Sequence, residues 1–346
     1  MFNKIIGNNQ VKTTFQRLLR SKRLPNSLLM TGENGVGKKQ FAFELAKAFV
    51  CRSPIEGEAC DNCVACLRAD KFTIPKPEDK NRDEFKKVFF SEHSDIGIVT
   101  AYKNNILIDA IRSLEAESNF RPYEANARFF IIDEAEKMND AAANALLKTL
   151  EEPSPTSHIF LLTSRPNSLL QTIRSRCQTV RFAPIEAREI EEHLLKTKKF
   201  TSDDARLLAK ISRGSLGRAL NIDLGKFREQ RESILKLTES LIVTNNRAVL
   251  LKVAEEMNDA KNKDNYDIYL DILQTLTHDI WSLNLHESTE NIVNIDLNSQ
   301  LKRLAQKADR KKLAGWLTEI ETFRDNFAVN LNKKIATDAL FMKMAN

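Results

Sequence analysis

The stretch Gly32-Glu33-Asn34-Gly35-Val36-Gly37-Lys38-Lys39 constrains the fold of this chain more than any other. An apolar run, Ser27-Leu28-Leu29-Met30-Thr31, leads into it, and a segment of helical character, Gln40 to Val50, leads out. Strand, glycine loop and helix in that order are the setting of a phosphate-binding loop. Glycines there let the backbone curl until its N–H groups face an anion at a helix N-terminus, and a lysine adds a point charge. The full pattern, G-x-x-x-x-G-K-[ST], ends in a hydroxyl that ligates magnesium. Gly32, Gly37 and Lys38 fit and Gly35 adds a further glycine, but Lys39 stands where the hydroxyl belongs. A charged lysine cannot ligate a metal and repels one. Magnesium contributes several kcal/mol of charge stabilisation in such reactions, and each ~1.4 kcal/mol is about tenfold in rate. The loop therefore reads as one that holds phosphate without fast hydrolysis; a glycine turn with no ligand is the alternative.

The chain has 346 residues, enough for two or three domains with proper cores. Its 42% hydrophobic and 29% charged residues describe a soluble globular protein. No apolar run approaches the ~18 residues that span a membrane, and Met1 to Gly7 lacks the apolar core of a secretory signal. A cytoplasmic setting is expected. The net charge of +6 suits an acidic partner such as DNA, and solvated lysines explain it equally well.

Four of the five cysteines, Cys51, Cys60, Cys63 and Cys66, are spaced C-x8-C-x2-C-x2-C directly after the loop's helix. In a reducing compartment such a cluster reads as a metal site rather than as disulfides. Four thiolates suffice for a closed tetrahedral zinc site with no open position, and Asp61-Asn62 suits a tight turn between ligands. An iron–sulfur cluster is the rival for Cys60, Cys63 and Cys66, but the downstream cysteine and proline of that pattern are missing. Free thiols are the third reading.

Elsewhere, Gln10 to Lys22 reads as an amphipathic helix whose basic face meets either solvent or DNA. Lys71 to His93, charged and carrying Pro75 and Pro77, reads as a surface excursion; His93 is a loop histidine or a spare zinc ligand. Ile108, Ile111 and Leu114 have helical spacing. The run Arg128-Phe129-Phe130-Ile131-Ile132 reads as a central parallel strand, ending in Asp133 and Glu134 where such sheets bind ligands. In a phosphate-loop protein Asp133 would sit beside magnesium, and Glu134 could orient a water. Asn139-Asp140 caps a helix through Leu150, a candidate DNA contact; Ile159 to Ser164 is a second buried strand. A short helix, Leu169 to Arg174, leads to a closing strand, Thr179 to Phe182. Beyond Pro184 the pattern is helical: Thr201 to Lys210, Gly217 to Leu220, and stripes at Leu273, Leu276, Ile280, Leu283 and at Trp316, Ile320, Phe323, Phe327 that read as core or subunit contacts.

Three runs then converge: Phe130 to Met138, Ala145-Leu146-Leu147-Lys148-Thr149-Leu150-Glu151-Glu152-Pro153, and Ser175-Arg176-Cys177. Together they resemble a bacterial clamp-loader AAA+ subunit, and the four-cysteine insertion resembles a module of the same group. The resemblance spans about Ile5 to Leu220 and is faint in the helical tail. Within it, Lys39 and the chain length resemble the delta-prime branch of the DNA polymerase III clamp loader; the ATP-hydrolysing gamma/tau branch would carry threonine at position 39. The resemblance implies a sensor at Ser164, a lid arginine at Arg218, and an arginine finger at Arg176 reaching a neighbour's ATP; a surface ion pair is the plain alternative for Arg176. It implies an α/β AAA+ domain with a parallel sheet over 1–182, a zinc module at about 51–66, a small helical lid over 183–224 and an all-α collar over 225–346. Structural zinc and weak or absent ATP binding are the cofactors it implies. Gamma/tau and delta subunits of a hetero-pentamer, the sliding clamp and primed DNA are the partners, with no membrane. Two rivals stand beside it: a self-sufficient gamma/tau-like ATPase that tolerates Lys39, and a zinc-stabilised DNA-binding protein with a vestigial nucleotide fold.

Overall fold

The computed structural model describes residues 2–21, 23–259, 266–285, 292–326 and 333–345; Met1, Lys22 and Phe327 lie outside them. The chain divides into two units, Met1–Phe200 with Ser212–Leu220, and Thr201–Ile211 with Asn221–Asn346.

In the first unit, apolar strands alternate with helices. In order these are α1 (Asn9–Ser21), β1 (Ser27–Thr31), α2 (Lys38–Val50), α3 (Val64–Ala69), β2 (Phe89–Phe90), β3 (Ile96–Val99) and α4 (Ile108–Ser118). They continue with β4 (Arg128–Ile132), α5 (Asp140–Glu151), β5 (Ser157–Thr163), α6 (Gln171–Arg176), β6 (Gln178–Arg181) and α7 (Ala187–Lys196). The sheet has the order β2-β3-β4-β5-β1-β6, parallel except at β2, which pairs antiparallel with β3. Side chains of a strand alternate between faces, and both faces here are covered. Phe129 and Ile131 of β4 join Leu28, Met30, Phe160 and Leu162 in one core, with Phe41 and Leu45 of α2. Phe130 and Ile132 join Leu29, Ile159 and Leu161 in the other, with Ile111 and Leu114 of α4 and Leu146 of α5. That double burial explains the uninterrupted hydrophobic runs, each such side chain contributing about 1.5–3 kcal/mol before entropy is counted.

The strand expected at 128–132 is present with those bounds, and those expected at 159–164 and 179–182 with ends shifted by one or two residues; Ser164 and Phe182 fall just outside theirs. The short helix before β6 begins at Gln171 rather than Leu169. Asn139 caps α5 as its sequence suggests, its Oδ1 accepting the Ala142 N–H at 2.9 Å. The excursion after Lys71 is largely exposed, as expected, but carries ordered elements that the sequence did not suggest. It adds β2 to the sheet edge and a helical turn, Asp79–Lys86, that buries Phe85. Phe85 packs on Phe89 and Tyr102, and the Tyr102 hydroxyl donates to the Glu78 carbonyl at 3.1 Å. The neighbouring strand β3 was also not evident from the sequence.

The second unit is helical: α8 (Ser202–Ile211), then, after α9 (Leu216–Asn221) at the junction, α10 (Leu224–Glu239), α11 (Arg247–Asn258), α12 (Tyr266–Asn284), α13 (Asn298–Lys307), α14 (Arg310–Asn326) and α15 (Lys333–Ala345). The stripes seen in the sequence face its interior: Leu273, Leu276, Ile280 and Ile320 are fully buried and Trp316 nearly so, while Leu283 and Phe323 are half-buried. The Trp316 indole N–H donates to the Met344 carbonyl at 2.8 Å, tying α14 to the last helix. No helix among the described residues is long and apolar enough to cross a membrane.

Candidate functional site

Two polar centres lie at opposite ends of α2. At its N-terminus the register of β1 places Thr31 beside Thr163 of β5 and Arg181 of β6, so the loop that follows opens at the carboxyl edge of the sheet. The Gly32 N–H donates to the Thr163 carbonyl at 3.2 Å. Gly37, the residue before α2, is left-handed at φ 99°, a conformation glycine adopts without steric cost. Gly35 is left-handed too, and it lies against Ser215–Gly217: the Gly217 N–H donates to its carbonyl at 3.0 Å, and a Cβ on Gly35 would meet Ser215 Oγ at 2.2 Å.

Lys38 is buried and folds back on its own loop, donating to the carbonyls of Gly32 at 2.6 Å and Glu33 at 2.8 Å. Burial lowers its pKa, opposed in part by Glu136 and Asp133. Lys39 Nζ lies 3.1 Å from Asp133 Oδ2. The ammonium thus takes the carboxylate that a magnesium ion would use. The other two acids of this strand end are also engaged. Glu134, left-handed at φ 53°, pairs with Lys137 at 2.7 Å. Glu136, to which no role attached in the sequence, accepts from Ser164 Oγ at 2.7 Å and from the Ser164 N–H at 3.2 Å. Burial works against its ionisation, but the donors on Ser164 and Thr163 prevail and lower its pKa.

A cavity of about 910 Å³ opens here. Gly35, Gly37, Lys38, Lys39, Asp133, Glu134, Glu136 and Ser164 are on its polar lining, and Ile5, Ile185, Leu216 and Leu220 on its apolar lining. A pocket of this size with convergent polar groups and an apolar wall has room for a mid-sized ligand. Gly32 is not on the lining; its carbonyl accepts from Lys38. Arg218 is half-buried on α9, whose Leu216, Gly217 and Leu220 line the cavity while Arg218 does not. Arg176 is likewise absent from the lining. At the end of α6 its guanidinium meets Glu151 Oε1 at 2.6 Å and donates to the Thr172 carbonyl at 2.9 Å, linking the Leu-Glu-Glu-Pro and Ser-Arg-Cys runs.

At the other end of α2, Cys51, Cys60, Cys63 and Cys66 bring their sulfurs within 4.8 Å of one another and form no disulfide. Cys51 and Cys63 sulfurs lie 3.9 Å apart, and those of Cys63 and Cys66 3.5 Å. Zinc–sulfur bonds of ~2.3 Å set tetrahedral sulfurs roughly 3.8 Å apart, so these four fit such an ion. Backbone N–H groups of Cys60 and Cys63 donate to the Cys51 and Cys60 sulfurs, each at 3.3 Å. Burial acts to raise the Cys63 thiol, but the N–H groups of Cys66 and Arg52 and the adjacent thiols bring it down to about 6; burial pushes Cys66 up. The group does not include His93, which is buried with Nδ1 accepting the Asp95 N–H at 3.3 Å. Asp61 turns left-handed at φ 62° between the second and third cysteines, the tight turn its sequence suggests.

Lys47, which the sequence reading passed over, fastens this module. Its side chain on α2 is 5% exposed, and Nζ reaches Glu44 at 3.0 Å, Asp61 at 2.9 Å and Asp70 at 3.0 Å. Lys4 also reaches Asp61, at 2.6 Å.

Known proteins share this chain's pattern. Residues 7–186, just over half of it, match the family model described as "DNA polymerase III, delta subunit". The DNA polymerase III subunit delta' of Bacillus subtilis is 28% identical over 313 residues, which cover 90% of this chain and 88% of that one. The delta' subunit of Escherichia coli K12 is 24% identical over 339 residues, 96% of this chain and 94% of that one. The tau subunit of Bacillus subtilis is 27% identical over 280 residues, 79% of this chain but only 46% of tau. Family match and end-to-end likeness agree: the chain belongs to the DNA polymerase III delta-subunit family, among the bacterial clamp-loader AAA+ subunits, and resembles their delta-prime members.

Proposed function

We propose that this chain is a stationary, delta-prime-like member of the clamp loader, which helps place the sliding clamp on primed DNA beside gamma/tau and delta subunits. In this reading residues 183–224 act as a lid, residues 225–346 join the collar of the hetero-pentamer, and the four cysteines hold structural zinc. The chain's own nucleotide site does not hydrolyse ATP. The observation that carries this is the Lys39–Asp133 ion pair at 3.1 Å, which fills the place where a catalytic metal would bind. Its contribution to the reaction is Arg176, given to the ATP of a neighbour. A fixed guanidinium stabilises charge on a transferring phosphoryl group and is worth roughly 10³–10⁵ in rate when supplied in trans. The partner Arg176 has here, Glu151, is itself half-exposed. Such pairs contribute only about 0–1 kcal/mol, so release of the arginine to a neighbour costs little.

The test is a reconstituted clamp loader carrying Arg176→Ala. The expected result is loss of about a thousandfold or more in hydrolysis at the one neighbouring site, with clamp loading impaired and the melting midpoint of the chain unchanged. Hydrolysis and loading at the wild-type level would remove the arginine role. Turnover of Mg-ATP by the chain alone, surviving dilution, would overturn the stationary reading.

A further inference from the structure

We propose that Lys39 is a built-in counter-ion that lets this site take a nucleoside di- or triphosphate with no divalent cation. The inference rests on the reading of the cavity as a nucleotide site and adds to it what kind of nucleotide the site accepts. Three acids stand at or just beyond the strand end, and each has a partner from the chain itself on one oxygen: Asp133 has Lys39, Glu134 has Lys137, and Glu136 has Ser164, while Glu136 Oε2 is buried without a hydrogen-bond partner. A hydrated magnesium ion needs one or two carboxylates besides the phosphates. To bind through Asp133 it would have to displace Lys39, and at the remaining oxygen of Glu136 it would share the cavity with the Lys38 and Lys39 ammoniums. Metal-free polyphosphate meets the opposite situation. Lys38 and Lys39 both line the cavity. The donors of Lys38 now rest on two carbonyls of the loop, Gly32 and Glu33, and phosphate oxygens are stronger acceptors for a charged donor than neutral carbonyls. The positive end of α2 adds to the same attraction. The two further acids on the cavity wall, Glu44 and Asp70, are held by Lys47, and magnesium bound to the nucleotide would reduce its attraction to Lys38 and Lys39, so the metal weakens binding or leaves it unchanged.

The experiment is calorimetric titration of ATP and of ADP into the full chain, once with excess EDTA and once with excess magnesium. Equal or tighter binding in EDTA is expected. Manganese replacing magnesium should give no protein-bound signal in the electron paramagnetic spectrum of the nucleotide-saturated chain. In Lys39→Thr, which restores the hydroxyl and frees Asp133, magnesium should tighten binding about tenfold or more, and bound manganese should appear. Lys39→Met removes the charge and frees Asp133 without supplying a hydroxyl; it should weaken binding in EDTA about tenfold, and metal should restore less of it than in Lys39→Thr. Wild-type binding that is tenfold tighter with magnesium, or undetectable in EDTA, overturns the inference. If that metal-dependent binding comes without turnover, the stationary clamp-loader reading survives; if it comes with turnover by the chain alone, both fall.

Discussion

The two ends of α2 solve opposite electrostatic problems. A helix carries partial positive charge at its N-terminus and partial negative charge at its C-terminus. The N-terminal end already bears Lys38 and Lys39, so it gathers positive charge, which the chain balances internally by setting Lys39 on Asp133. The C-terminal end leads into Cys51 and three further thiols, whose sulfurs are partnered by one another and by backbone N–H groups. Were these four sulfurs all thiolates, at the negative end of a helix they would call for a cation from outside. On the proposed reading, one site carries its own cation and the other takes one from outside. The difference is visible in residue type alone: a lysine where a hydroxyl belongs closes a metal position, whereas four cysteines within hydrogen-bond reach of each other create one.

The comparison breaks if the cysteine end needs no metal. Cys66 is the fully buried member of the four, and Cys66→Ser removes a ligand without room for a substitute. The expected outcome is metal content far below one ion per chain and a loss of at least ~3 kcal/mol, roughly 10 °C in melting midpoint for a unit of this size. Elemental analysis and a thermal melt check both. A variant that keeps its metal or its midpoint would place the stabilising role elsewhere.

A smaller effect should follow from Lys47→Met, which leaves Glu44, Asp61 and Asp70 without their shared ammonium. Removing one partner of a buried pair costs about 3–5 kcal/mol; Asp70 is half-exposed and screened by water, so about 2 kcal/mol is expected. Burial disfavours the charged lysine, but the three carboxylates more than compensate and raise its pKa above the usual lysine value of 10.5. A raised pKa contributes stability that is fully present below the ordinary value and is lost as pH rises through the folded one. The gap between wild type and variant should accordingly hold at neutral pH, narrow in strong alkali as Lys47 deprotonates, and narrow in acid as its carboxylate partners protonate, as thermal melts across pH would show.

The sequence was most informative where one physical cause dominates. Doubly buried strands such as Phe129–Ile132 are continuous apolar runs because nothing polar is tolerated on either face, and the glycine loop and the cysteines announce their chemistry by spacing. It was least informative where structure rests on long-range partners. Strand β3 is four residues interrupted by Gly97, and β2 is two residues that pair only because β3 lies beside them. Such short pieces carry no periodicity to detect. Lys47 looked like one more lysine on an amphipathic helix because two of its partners, Asp61 and Asp70, lie beyond the helix. The pairing of Lys39 with Asp133 joins residues almost a hundred positions apart; the sequence showed that a metal would be repelled, not that its carboxylate was already taken. Glu136 went unremarked because Asp133 and Glu134 occupy the strand end, whereas Glu136 reaches the site only after the turn that follows.

Glu136 also offers the finest test of the contrast between the two ends. If every acid at the nucleotide end is held by the chain, removing the Ser164 hydroxyl must loosen Glu136. Ser164→Ala deletes the 2.7 Å bond and keeps the backbone donor at 3.2 Å, so the loss should be about 1 kcal/mol or less. The sign with pH is fixed by the direction of the shift. The Glu136 pKa is lowered in the folded chain, so its contribution is present above the ordinary carboxylate range and is lost as pH falls through the folded value. Wild type should therefore exceed the variant at neutral pH and converge with it in acid, and a carboxyl resonance assigned to Glu136 should titrate higher in the variant. Curves that stay parallel into acid would mean that Ser164 does not hold this carboxylate. Glu136 would then be available to a metal, and the nucleotide end would no longer be closed by its own residues.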